Sequence, residues 1–395
     1  MRASSSVLSR LLIAATLLVA LAGCSTIKGW FGSKEKEGEK PTEPAKLTDF
    51  AASTNVSKLW SANAGKGEGR VGVQQTPSIN DGRVYAAAVE GGVRAFDLQT
   101  GRSVWQYKSK LRLSGGPGSG DGLVAVGTLD GQVIVLDAST GAEKWQAKVP
   151  NEVIAAPAIG QGMVFVRTND GRVSAFDAAS GERRWFWNNE LPSLTVRGNA
   201  PVVLGPGVLF IGNDDGTVTA LAANDGRPLW TQAVGIPEGR TELERMADVD
   251  GAPVLEGTTL FATSYKKETV AIEGPSGRPL WTRENGGAGG LGVTSSAVLV
   301  SDPAGTVWAL DKYSGAALWS NTTLARRSLT APTIHGDYAV VGDFDGYLHW
   351  LKLDNGEQAA RARVGGKTLR GKPVEAGGVL VVQDVEGGLT AFGFR

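Results

Sequence analysis

A unit of about 43 residues recurs along most of this 395-residue chain, and a period of that size leaves few folds open. Its clearest copy reads Asp130-Gly131-Gln132-Val133-Ile134-Val135-Leu136-Asp137-Ala138-Ser139-Thr140-Gly141-Ala142-Glu143-Lys144-Trp145. It returns as Asp170-Gly171 through Asp177 and Ser180-Gly181 to Trp185. Looser copies end at Trp105, Trp230, Trp281 and Trp319, and a seventh carries Ala360 where tryptophan is due. From Trp60 to Trp319 seven tryptophans span 259 residues in six intervals. Alternating strands at this period predict propeller blades, each of which buries its faces only against its neighbours.

Another strand pair precedes each copy, opening at Pro77, Pro117, Pro157, Pro201, Pro253, Pro332 and Pro373, with a proline-free version near Leu291 to Ala297. Each blade therefore has four strands, a to d, joined by Asp-Gly-like hairpin turns that need positive φ. That need accounts for 55 glycines, about twice the usual ~7%. The eighth copy stops after strand c at Glu386-Gly387-Gly388-Leu389-Thr390-Ala391-Phe392. The missing strand d stands at the other end of the repeat region, as Val56-Ser57-Lys58-Leu59-Trp60. The expected fold is all-β: an eight-bladed propeller of four-stranded antiparallel blades over residues 55–395, its ring closed by an N-terminal strand completing the last blade. The repeating tryptophans are expected to anchor one blade on the next, and Asp97, Asp137, Asp177 and Asp311 to cap the Thr/Ser-Gly turns.

Residues 1–23 read as a lipoprotein signal peptide: Arg2 and Arg10, an apolar run from Leu11 to Leu21, then Leu21-Ala22-Gly23-Cys24. Cys24 is the expected lipidation site. Residues 24–54 are polar, with Lys34-Glu35-Lys36-Glu37, Pro41 and Pro44, and are expected to be a disordered tether. The segment resembles the lipobox of Gram-negative lipoproteins, and by that resemblance Ser25 after the cysteine implies the outer membrane, with the body facing the periplasm. Lysine plus arginine equal aspartate plus glutamate at 40 each, which argues against nucleic-acid binding.

Catalytic and metal-binding readings find little material. Cys24 is the one cysteine, and His335 and His349 are the two histidines, one expected in a hairpin turn and the other in a strand. Gly287-Ala288-Gly289-Gly290-Leu291-Gly292 matches G-x-G-x-x-G but leads into a strand, where a dinucleotide site needs a helix. Asp248-Val249-Asp250 offers two carboxylates with no third acid at usable spacing. No catalytic residue, cofactor or metal is expected.

The Asp-x-x-Thr/Ser-Gly-x-x-x-Trp repeat resembles two propeller families, the quinoprotein (PQQ-dependent) dehydrogenases and the BamB lipoproteins of the outer-membrane β-barrel assembly machinery. Cysteine-dependent features of the alcohol-oxidising quinoproteins are impossible here. The connection from Trp185 to Pro201 is 16 residues and that from Trp230 to Pro253 is 23, against 12 for Trp105 to Pro117 and Trp145 to Pro157, though Trp60 to Pro77 is also long at 17. The first contains Leu191-Pro192-Ser193-Leu194-Thr195-Val196-Arg197-Gly198 and the second Thr241-Glu242-Leu243-Glu244-Arg245-Met246-Ala247-Asp248-Val249-Asp250. Both are similar to BamB segments, with Val196 where that family commonly has leucine. The resemblance implies a non-enzymatic scaffold that docks a POTRA domain of the barrel subunit BamA through Leu194, Val196, Arg197, Asp248 and Asp250. A further expectation is that exposed blade edges hold unfolded outer-membrane proteins by β-augmentation. The alternative is an Arg197–aspartate salt bridge that only pins the two loops. A small PQQ-dependent dehydrogenase is the competing function.

Overall fold

The computed structural model describes residues 42–67, 72–195, 198, 200–287 and 289–395. Eight four-stranded antiparallel sheets follow one another as blades, and strand a of each touches strand a of the next around a closed ring. In blade 2 the strands are Gly118–Gly120, Leu123–Gly127, Gln132–Asp137 and Glu143–Lys148. Every residue of Leu123–Gly127 is buried, whereas Glu143–Lys148 alternates about a buried Trp145. Sheets covered on both faces read as continuous apolar runs, and the outermost strand returns to alternation because one side meets water.

The turn and tryptophan of the repeat form one device. Asp137 accepts from the Thr140 amide at 3.0 Å and from the Ser139 hydroxyl at 2.5 Å, and these donors hold its carboxyl well below the usual range. The turn so fixed carries Gly141 at φ +73°. Against it lies Trp105 of the preceding blade, whose Nε1 donates to Ala138 O at 2.9 Å. Seven tryptophans repeat this contact, from Trp60 to Leu98 O through Trp319 to Leu353 O. Asp97, Asp177 and Asp311 accept from the amides of Thr100, Ser180 and Ser314 as expected.

Ring closure uses the expected strand. Val56–Asn63 pairs with Gly388–Phe394, which pairs with Val379–Gln383 and then Val374–Ala376. Trp60 stands opposite Ala391 as Trp105 stands opposite Ala95 in blade 1. The blade lacking its tryptophan has a physical reason to lack it. Blade 8 takes its strand d from the other end of the chain, so it has no c–d turn for a blade 7 indole to cover. The ring instead sits across the strand pair: Trp350 opposes Ala360, where other blades pair Ala or Val with Trp. Trp350 donates to His335 Nδ1 at 3.1 Å, and Phe394 stacks on His335 at 4.2 Å between centroids.

Residues 44–54, expected above to lie in the disordered tether, are packed on the propeller without regular secondary structure. Ala45 is buried, its amide donating to Ala325 O at 2.9 Å, and Leu47 packs against the core between blades 6 and 7. Composition misled here because the few apolar residues of the segment are spaced to meet prepared positions on the body. His335 also differs from expectation: it ends the strand Thr333–His335 and is wholly buried. Cys24 and the signal segment lie outside the described residues.

Candidate docking site

Two long connections rise on one face between blades 3 and 5. The first joins Arg183–Asn188 to Val203–Gly205, and the second joins Pro228–Ala233 to Val254–Glu256. The second contains a single helical turn, Glu242–Arg245, closed by a capping box: Thr241 Oγ1 accepts from the Glu244 amide at 3.2 Å, and Glu244 accepts from the Thr241 amide at 3.1 Å. Lys266 of blade 5 pins this turn through Glu238 O at 2.6 Å and through Glu244 O.

After the turn the chain dives into the ring. Val249 is fully buried, its amide donating to Asn213 O at 3.0 Å, and Asp248 O accepts from the Tyr265 amide at 2.8 Å. This stretch is stitched between the b–c turns of blades 4 and 5. Among the described residues predicted for partner binding, the structure separates two environments. Leu194 is 43% exposed, as is Leu191 beside it, while Ile236 and Leu243 of the second connection are exposed further. Asp248 is fully buried, so it is not offered to a partner, and Asp250 turns its carboxylate inward against Gly198, where a Cβ would fall 1.8 Å from Oδ1. Val196 and Arg197 lie outside the described residues.

Sequence spacing also missed the third acid. Asp214, from the b–c turn of blade 4, joins Asp248 and Asp250 with carboxylate oxygens all within 4.8 Å of one another. Its ion partner is Arg167 at the end of a blade 3 strand, 2.8 Å away, with both side chains 7% exposed. Arg167 also donates to Ala200 O at 3.1 Å, tying the first connection to the same cluster. Burial, then the Asp248 and Asp214 carboxylates, push Asp250 well above the ordinary range, with Arg167 pulling the other way. Burial likewise raises Asp214 despite Arg167. Arg167 bonds both Asp214 and the Ala200 carbonyl, so it ties the first connection to the cluster from beneath. The only sequence signal for Arg167 and Asp214 was their place at the end of strand b and in the b–c turn after it, which every blade shares.

A cavity of about 480 Å³ runs through the ring centre, lined by residues at or before strand a of each blade. Lys372 enters it and donates to Leu291 O at 2.9 Å, and burial pushes its amine down to about 8.

An eight-bladed ring with this Trp–Gly lock, and loops elaborated on one face over an otherwise bare scaffold, defines the class: a propeller of the PQQ-like repeat type. The family model described as "Outer membrane protein assembly factor BamB" matches residues 89–321 and 304–394. The chain is 62% identical over 393 residues to that factor from Xanthomonas campestris pv. campestris, covering 97% of each chain. It is 42% identical to the Pseudomonas aeruginosa protein of the same name over 96% of this chain and 97% of that one. The crystal structure of BamB from Moraxella catarrhalis superposes with a TM-score of 0.78 at 28% identity, covering 86% of this chain and all of that one. This chain belongs to the BamB family of outer-membrane protein assembly factors. A quinohemoprotein alcohol dehydrogenase from Comamonas testosteroni, at a TM-score of 0.68 and 15% identity, shares the fold alone.

Proposed function

We propose that this chain is a non-enzymatic, lipid-anchored scaffold of the outer-membrane protein assembly machinery, held at the membrane through Cys24 and facing the periplasm. Its docking surface for a POTRA domain of BamA is the pair of connections between blades 3 and 5. The observation that carries this reading is the contrast within them: exposed Leu191, Leu194, Ile236 and Leu243 stand above loops pinned by buried Arg167, Asp214 and Asp248. A preorganised apolar patch loses little entropy when it binds. Leu194, Val196 and Arg197 would make the contact. Asp248 and Asp250 would act from below, balancing Arg197, which precedes the Gly198 that abuts Asp250. Unfolded clients would pair with outer strands, whose edges carry Leu59, Val104, Leu229, Leu280 and Leu318 in the open.

The test is a pull-down from detergent-solubilised envelopes with the parent chain beside its Arg197→Glu and Leu194→Glu variants, identifying what each retains by mass spectrometry. Retention of the barrel subunit by the parent and its loss in both variants is expected. Equal retention by all three would move the docking surface elsewhere. Replacing Cys24 by serine is expected to release the protein from membranes.

A further inference from the structure

The outer edge of blade 7 differs from the other edges. In strand d, the residue before the repeat tryptophan is unpaired in the ladder and points outward. At that place Leu59, Val104, Leu229, Leu280 and Leu318 are 40–54% exposed. The blade 7 counterpart, Ala359, is 0% exposed. What covers it is the chain's own segment 44–54. The Ser53 amide donates to Ala359 O at 2.9 Å, and Arg361 donates to Thr48 O at 3.0 Å and lies 5.5 Å from the Phe50 ring centroid. Ala45 O accepts from Arg327 at 3.0 Å, and Leu47 fills a notch against the blade 6–7 core.

The two sides of this contact are built differently. The receiving side is rigid: Arg327, 4% exposed, is locked by Asp343 at 2.8 Å and Asp345 at 2.6 Å, and Asp343 also accepts from buried His349 at 3.0 Å. The segment itself forms no strand ladder: its main-chain bonds are Ser53 N–H to Ala359 O and Ala45 N–H to Ala325 O, and Arg327, Arg361 and an Arg361–Asp49 ion pair at 3.6 Å hold it by side chains. One main-chain bond joins it to strand d, and Lys46, Thr48, Asp49, Ala51, Ala52 and Ser53 are exposed. Lifting it would leave the Arg327 N–H and Ala359 O without these partners and open the Leu47 notch, so the bare edge calls for a replacement of like shape.

We infer that the outer edge of blade 7 is a second interaction surface, covered in this state by segment 44–54, that accepts an extended polypeptide. Its recognition pattern is written by its present occupant. A main-chain carbonyl meets Arg327, an apolar side chain two residues on fills the notch, and an aromatic three residues further lies on Arg361. An amide three residues beyond that meets Ala359 O. The inference deepens the proposed edge pairing by naming an edge and its competitor, and does not depend on the blade 3–5 loops.

The experiment uses the full-length protein, unaltered and as the double variant Leu47→Asp, Phe50→Ala, which weakens the cover and leaves blade 7 intact. The probe is a fluorescent peptide of residues 44–54, beside a control with the leucine and phenylalanine positions moved by one. Anisotropy is expected to show the double variant binding the probe about ten-fold or more tighter than the parent. That is the gain from weakening an intramolecular competitor whose effective concentration, about millimolar, is about ten times its dissociation constant. The control peptide is expected to bind neither. Failure of the double variant to bind the probe, binding by the parent as tight as by the variant, or equal binding of the control would each overturn the inference. An unchanged melting temperature of the variant keeps a folding defect apart. Retention of the barrel subunit by the same variant reads the docking proposal separately.

Discussion

Trp105 and Gly141 belong to neighbouring blades, and the indole of the first occupies the space where a Cβ of the second would stand, 2.6 Å from the nearest ring atom. The repeat motif is therefore half of one blade's contact and half of the next. The turn glycine is needed twice over, for its positive φ and for the ring upon it. The same close approach recurs from Trp60 on Gly101 to Trp319 on Gly356.

Gly141→Ala should consequently destabilise the protein more than the backbone alone explains. Gly122, at φ +72°, has nothing within 4 Å of a Cβ, so Gly122→Ala reports the backbone cost, about 1–2 kcal/mol. Gly141→Ala is expected to add about 1–3 kcal/mol for displacing the indole. Urea unfolding of both variants measures the difference, and equal midpoints would show that the Trp105 contact does not constrain Gly141.

The exchange of sizes at positions 350 and 360 predicts strong coupling. Ala360→Trp places a second indole opposite Trp350 and is expected to cost about 1–3 kcal/mol, while Trp350→Ala leaves a cavity worth about 3–5 kcal/mol. Because the residues are directly paired, the double variant should be more stable than the sum of the single effects. A double-mutant cycle by thermal unfolding reads the coupling, and additivity would refute it.

Arg167 and Leu194 should fail in different ways. Arg167→Met leaves buried Asp214 without its ion partner and is expected to cost about 3–5 kcal/mol. Leu194→Glu alters an exposed side chain, so its stability should stay within about 0.5 kcal/mol of the parent while barrel-subunit retention falls. Calorimetry beside the pull-down separates the two.

Lys372 predicts an alkaline gain in stability. Its folded pKa of about 8 lies below the unfolded value of about 10.4, so above pH 8 the native state sheds a proton that the unfolded chain still holds. Stability relative to Lys372→Met should rise between about pH 8 and 10.4, by at most about 1.4 kcal/mol per unit, and be level below pH 8. Unfolding midpoints of the two proteins across that range measure it; a constant difference would place the amine in water.

Blade number, strand order and closure by Val56–Asn63 were legible in the sequence because they rest on local chemistry. A turn needs its glycine and its capping Asp within a few residues, and the strand alternation lies beside them. The length of the connection that carries Leu194 was legible too, and the structure leaves that side chain exposed, as a partner contact would need. The tertiary structure alone decided what meets across blades. Asp214 joins Asp248 from 34 residues away, Arg167 reaches them from a third blade, and Arg327 receives Ala45 from the far end of the chain. These contacts depend on how each blade is rotated against the next, and on closure of the ring. Nothing in the spacing of the residues carries that rotation, so Asp248 looked like a surface contact until its burial was seen.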